Sequence, residues 1–116
     1  MKENKLLKLS QDFAVSIIKV STFFKSIGQK SIADQLLRSG TSISANIAEA
    51  NHPQSRSDMV SKFEIALKEA NETENWLTVC KEANLLDNEI FTPLHKQVIQ
   101  IKILLISSIK TLKKSN

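Results

Sequence analysis

Apolar residues recur along this chain at alternating steps of three and four, in four stretches separated by short polar interruptions. The first covers about residues 5–27, where Leu6, Phe13, Ile17, Val20, Phe24 and Ile27 share one helical face. Gly28 closes it, because glycine readily takes the left-handed backbone that ends a helix. The second covers about residues 31–50, with Ser31 predicted as its N-cap and Ile32, Leu36, Ile43 and Ile47 on one face. Another face of that helix carries Ala33, Gly40, Ser44 and Ala48, small enough for a neighbouring backbone to come close. His52 and Pro53 break the pattern, and Ser55 followed three residues on by Asp58 predicts the cap of a third helix. Met59, Phe63, Ala66, Ala70, Thr73, Leu77 and Cys80 then alternate steps of four and three, the spacing of knobs-into-holes packing, and Asn84 ends the run. Asp87 is a capping residue, but a helix starting there would hold Pro93 in its second turn. The predicted start is therefore Thr92 as cap with Pro93 at the first helical position, after a short turn at 87–91. This fourth helix, about residues 93–112, has Leu94, Val98, Ile101, Leu105 and Leu112 on one stripe and Ile99, Ile103 and Ile106 on a second.

Four helices with short connections predict an all-α, antiparallel up-down-up-down four-helix bundle, one domain over residues 1–116. Composition agrees: two Gly and two Pro are too few for the regular turns of an all-β domain. No run approaches the roughly 18 apolar residues of a spanning helix, so no membrane partner is expected. The start, MKENKLLKLSQDF, lacks the apolar core and cleavage site of a signal peptide, which predicts a cytoplasmic protein. A chain of this size buries only about two thirds of the surface its unfolded form exposes, so one copy alone is marginal. One apolar stripe is enough to face three neighbours within a bundle. The second stripe predicts a homo-oligomer, with Ile99, Ile103 and Ile106 at the subunit interface and Trp76, which falls off the third helix's stripe, packed between subunits.

The net charge of +4 is unevenly spread. Residues 1–48 hold 7 basic and 3 acidic groups, residues 49–90 hold 4 and 9, and residues 91–116 hold 5 and 0, for segment charges of +4, −5 and +5. Up-down-up-down topology brings the start of the first helix beside the end of the fourth. Lys2, Lys5 and Lys8 then join Lys110, Lys113 and Lys114 in one basic rim, suited to the phosphates of RNA or DNA. No aromatic stacking platform accompanies these lysines in the sequence, so little sequence preference is expected.

Catalytic and metal chemistry find little to build on, and neither an enzyme nor a cofactor is expected. Glu49-Ala-Asn-His52 has the Glu-x-x-His spacing that di-iron bundles use twice, but Thr92 stands three residues before His95, so a second pair is missing. Ser16-Ile-Ile-Lys19 and Ser107-Ser-Ile-Lys110 match Ser-x-x-Lys, yet 14 Ser and 14 Lys make such matches frequent by chance. Cys80 is the only cysteine and lies on the apolar stripe, the position of a small core residue.

The second helix carries Ser-x-Ser-x-Asn-Ile-Ala-Glu from Ser42 to Glu49, and the third carries FEIALKEANETENWL from Phe63 to Leu77. With these motifs the chain resembles, over nearly its whole length, the bacterial four-helix-bundle family encoded in intervening sequences of large-subunit ribosomal RNA genes. The resemblance implies an antiparallel bundle assembling as a cyclic pentamer. It also implies a relationship to the accessory protein of diversity-generating retroelements, a basic pentamer that binds nucleic acid and the reverse transcriptase. Ala50 stands where the family commonly has Gly, and Lys68 and Glu69 stand where it commonly has Gly-Ser. Independently of that resemblance, Arg38, Ser42, Ser44, Asn46 and Glu49 set polar groups on or beside a helix with buried faces. Such groups need partners, and a network of Arg38 with Glu49, Glu69 or Glu72 is expected to fix helix register or subunit contact. Two functions follow from the sequence: an oligomeric accessory protein offering a basic rim to RNA or DNA, or a structural module that binds other protein chains.

Overall fold

The computed structural model describes residues 4–114 as four helices: α1 (Lys5–Ser26), α2 (Lys30–Ala50), α3 (Arg56–Glu82) and α4 (Asn88–Lys114). At about 1.5 Å per residue the 27-residue α3 and α4 are each roughly 40 Å long. They set the long axis of a molecule measuring 49 × 22 × 22 Å, whose cross-section is two helix diameters each way. α2 packs along α1 and α3, α4 packs along α3, and α4 returns to α1 through a thinner seam. The backbones of diagonal pairs stay apart among the described residues, and only side chains fill the space between them. The result is the antiparallel up-down-up-down ring that the hydrophobic pattern predicts.

Helix ends follow local chemistry. Gly28 has φ +84°, its N–H donates to the Lys25 carbonyl (3.1 Å), and the Gln29 N–H donates to that of Phe24 (2.8 Å), a Schellman closure of α1. The same closure ends α3 at Asn84, φ 63°, where the Leu85 N–H reaches the Cys80 carbonyl at 2.9 Å. At the start of α3, the Ser55 hydroxyl accepts the Asp58 N–H at 3.0 Å, and the Asp58 carboxylate accepts the Gln54 N–H at 3.1 Å. Two predicted starts are corrected. α2 begins at Lys30 with Gln29 as cap, so Ser31 lies inside the helix, because the Gly28 reversal completes one residue earlier. α4 begins at Asn88, with the Asp87 carboxylate accepting the Ile90 N–H at 3.0 Å, and Thr92 and Pro93 lie inside it. Side-chain contacts hold that first turn: Phe91 stacks on His95 with centroids 5.1 Å apart, and the Lys81 ammonium sits 5.0 Å above the Phe91 ring. They offset the one backbone hydrogen bond that Pro93 removes.

Phe13, Ile17 and Phe24 of α1, Leu36 and Ile43 of α2, Leu77 of α3 and Ile101 and Leu105 of α4 are fully enclosed at the core. At Gly40, α2 lies close against the Ile17 side chain of α1. A Cβ there would stand 2.8 Å from Ile17 Cγ2, so the small face of α2 serves close packing. One buried polar pair ties α2 to α3: the Thr73 and Ser39 hydroxyls are 2.9 Å apart, each within reach of a carbonyl of its own helix. Ala50 is fully buried at the end of α2, whereas Lys68 is exposed. Among the described residues, no helix is long and apolar enough to cross a membrane.

Candidate functional site

The starts of α1 and α3 and the ends of α2 and α4 meet at one end of the bundle. Asn51 donates to the Asn4 side-chain oxygen at 3.3 Å, joining α2 to α1, and Arg56 donates to the Leu112 carbonyl at 3.0 Å, joining α3 to α4. This junction gathers Lys5 and Lys8 with Lys110, Lys113 and Lys114, all exposed; Lys2 lies outside the described residues. Lys8 pairs with Asp12 at 3.0 Å and Lys113 with Glu64 at 2.9 Å. Lys5, Lys110 and Lys114 pair with no described carboxylate, so their charge faces solvent. Arg56 and Lys62 belong to the same end, and the sequence reading missed both. They sit in a segment whose net charge is −5, and only the position of the α3 N-terminus sets them apart from it. Lys62 pairs with Glu49 at 2.9 Å. At the same end, a cavity of about 320 Å³ opens between Leu6 of α1, Ile47 and Asn51 at the end of α2, Met59 and Phe63 of α3, and residues 107–112 of α4.

The polar residues of α2 divide into three sets. Arg38 reaches across to α3, donating to Glu69 at 3.2 Å and to Glu72. The indole N–H of Trp76 also donates to Glu72, at 3.2 Å, and Trp76 lies half-buried against the core. The Arg38 side chain is 49% exposed, so this is a surface lattice across the α2–α3 seam. Ser44 and Asn46 donate to carbonyls of their own helix, at Thr41 (3.3 Å) and Ser42 (2.9 Å), and Ser42 is half-buried. Glu49 points to Lys62 and takes no part in the Arg38 cluster.

On α4, Ile99 is half-buried, while Ile106 is 41% and Ile103 61% exposed. His95, Ile99, Lys102 and Ile106 follow one another at helical spacing on the side facing α3. There Glu74 takes the Lys102 ammonium at 2.6 Å and His95 Nε2 at 3.2 Å. The Lys102 hydrogen bond, with His95 adding to it, holds the Glu74 carboxyl below its usual range against the opposing effect of partial burial. The outward stripe of isoleucines is thus interleaved with an ionic cluster that fixes the rotation of α4 against α3.

Cys80 is buried, and desolvation pushes its thiol up to about 11, the opposite of an activated nucleophile. His52 is exposed in the connection after α2, and among the described residues no three His, Cys, Asp or Glu side chains gather to hold a metal ion.

A profile of the 23S rRNA-intervening sequence proteins matches residues 2–107 of the chain. Among solved structures, the chain is similar to a protein of unknown function from the S23 ribosomal protein family of Bacteroides thetaiotaomicron VPI-5482. The two share 42% identity with a TM-score of 0.87, over 90% of this chain and 98% of that one. No match was found among curated proteins.

Proposed function

The chain belongs to the 23S rRNA-intervening sequence protein family, and from that premise we propose that it acts without catalysis, as an oligomeric accessory protein of the cytoplasm whose basic end binds RNA or DNA. The observation that carries this reading is the state of Lys5, Lys110 and Lys114. They come from opposite ends of the sequence to one end of the bundle and are not neutralised by described carboxylates. A cation held in an ion pair gives little to a phosphate, whereas an unpaired one releases counterions when it binds. Copies join through Ile99, Ile103 and Ile106, five copies by the family resemblance, and a ring of parallel subunits repeats the basic end around one rim. Repetition multiplies weak phosphate contacts into usable affinity. The buried, unactivated Cys80 and the paired Glu74 and His95 favour a binding role over a catalytic one.

Fluorescence anisotropy with labelled RNA and DNA at two salt concentrations tests the proposal. If each of the three lysines neutralises one phosphate of a single strand, affinity per protomer falls by about 20-fold between roughly 50 and 200 mM salt. Replacing all three with Ala is expected to remove most of that dependence. Absence of binding near 50 mM salt would overturn the proposal in favour of a structural module that binds protein chains.

A further inference from the structure

The cavity at the basic end combines two features. Its walls are apolar, with Leu6 from α1 and Met59 and Phe63 from α3. Phe63 is 6% exposed, and it brings an aromatic ring to the cavity at the end of the bundle that carries Lys5, Lys110 and Lys114. The α4 side of the opening is a row of hydroxyls, Ser107, Ser108 and Thr111, faced by the amide of Asn51 at the end of α2. Ser10, Thr22, Ser39, Thr41 and Thr73 all turn their hydroxyls back onto carbonyls of their own helices. The hydroxyls of Ser107, Ser108 and Thr111 make no hydrogen bond to any described residue, so they remain available to a ligand.

An apolar pocket with an aromatic wall and a few unpaired donors and acceptors at its lip, on the end of the bundle that carries Lys5, Lys110 and Lys114, matches one chemistry. We infer that the cavity receives an unstacked base of a single-stranded nucleic acid while Lys5, Lys110 and Lys114 hold the flanking phosphates. This rests on the proposed function and narrows it to single strands. A duplex keeps its bases stacked and paired, so it meets the lysines but cannot fill the cavity; a single strand does both. At about 320 Å³ the cavity lies at the small end of ligand pockets, which suits one base better than a larger ligand. Phe63 belongs to the apolar stripe of α3, so its sequence position marks it as core. In the structure it also lines the cavity.

The test compares a labelled 12-nucleotide single strand, as RNA and as DNA, with the corresponding duplexes at one salt concentration. The single strands are expected to bind about 10-fold more tightly than the duplexes. Ser108→Leu places an aliphatic side chain in the cavity without offering a stacking face, and Thr111→Leu does the same from an exposed position that leaves folding untouched. Each is expected to remove the single-strand advantage while the salt dependence, set by the lysines, stays as in the unmodified protein. Methyl and ring signals of Met59 and Phe63 are expected to shift when the single strand is added. Equal binding of strand and duplex, or variants that keep the full advantage, would overturn this inference and leave the proposed function standing. No binding of either form near 50 mM salt would overturn both.

Discussion

Gly40 decides how closely the first two helices approach. Glycine inside a helix is unfavourable by about 1 kcal/mol relative to alanine, so alanine here would ordinarily stabilise. The nearest atoms to a Cβ at this point are Cγ2, Cγ1 and Cβ of Ile17, at 2.8 to 3.2 Å. These belong to a β-branched side chain with restricted rotamers in a helix, and Ile17 is fully buried, so it has nowhere to move. Overpacking of this kind costs about 1–3 kcal/mol and outweighs the gain in propensity. Gly40→Ala is therefore expected to lower stability by about 1 kcal/mol, seen as a lower urea midpoint with an unchanged slope. A raised midpoint would mean that α1 and α2 do not approach so closely. The same scale separates Thr73 from Cys80, two residues of one stripe. The Thr73 hydroxyl needs and finds Ser39, while the Cys80 thiol is held protonated by burial.

Between elements, the α3–α4 contact rests on a partly buried charge cluster. Glu74 stands between Lys102 and His95 and is partly buried, and its carboxyl is held below the usual range chiefly by the Lys102 hydrogen bond. A folded-state value below the unfolded one means that the unfolded chain binds the proton first as pH falls. The stabilisation is therefore complete above the ordinary glutamate value of about 4.3 and is lost as pH falls through the folded value. Glu74→Gln is expected to cost about 1 kcal/mol at neutral pH, with the gap to the unmodified protein narrowing on acidification below about pH 4. Thermal melts at pH 7 and pH 3 measure it, and a gap that does not change with pH would refute this assignment. How much of this was legible beforehand varies from helix to helix. The strict alternation from Met59 to Cys80 marks α3 because nothing within it conflicts with the helical period. Pro93 argues for a late start of α4, yet the Asp87 cap and the Lys81–Phe91–His95 stack together outweigh one missing hydrogen bond, and that stack exists only once α3 and α4 are side by side. The lysines of the basic end are readable because loop length alone sets the topology. The cavity among them is not, since it depends on where four helices stop relative to one another.

At the scale of the whole molecule, the basic end and the isoleucine flank of α4 occupy different parts of the bundle. The basic end carries Lys5, Lys110 and Lys114, which pair with no described carboxylate, while the flank of α4 carries Ile103 and Ile106, which the bundle itself leaves in water. Both isoleucines keep their place in a regular helix whose rotation is fixed by Glu74, Lys102 and His95, so their exposure follows from the packing of α4 and not from fraying. A lean single chain of 13.0 kDa gains from covering such a stripe with a second copy, and a flank running along the bundle axis can be covered while the end of the bundle stays open to nucleic acid. Assembly and nucleic-acid binding are then separable by mutation. Ile103→Lys combined with Ile106→Lys touches no core residue, so helicity by circular dichroism should be retained. Light scattering at micromolar concentration should show the unmodified protein at a multiple of 13.0 kDa and the double variant at 13.0 kDa itself. Its affinity for a short labelled strand should fall to that of a single basic end. An unmodified protein already at 13.0 kDa would remove the oligomer, and with it the rim, while leaving each bundle with its own three unpaired lysines.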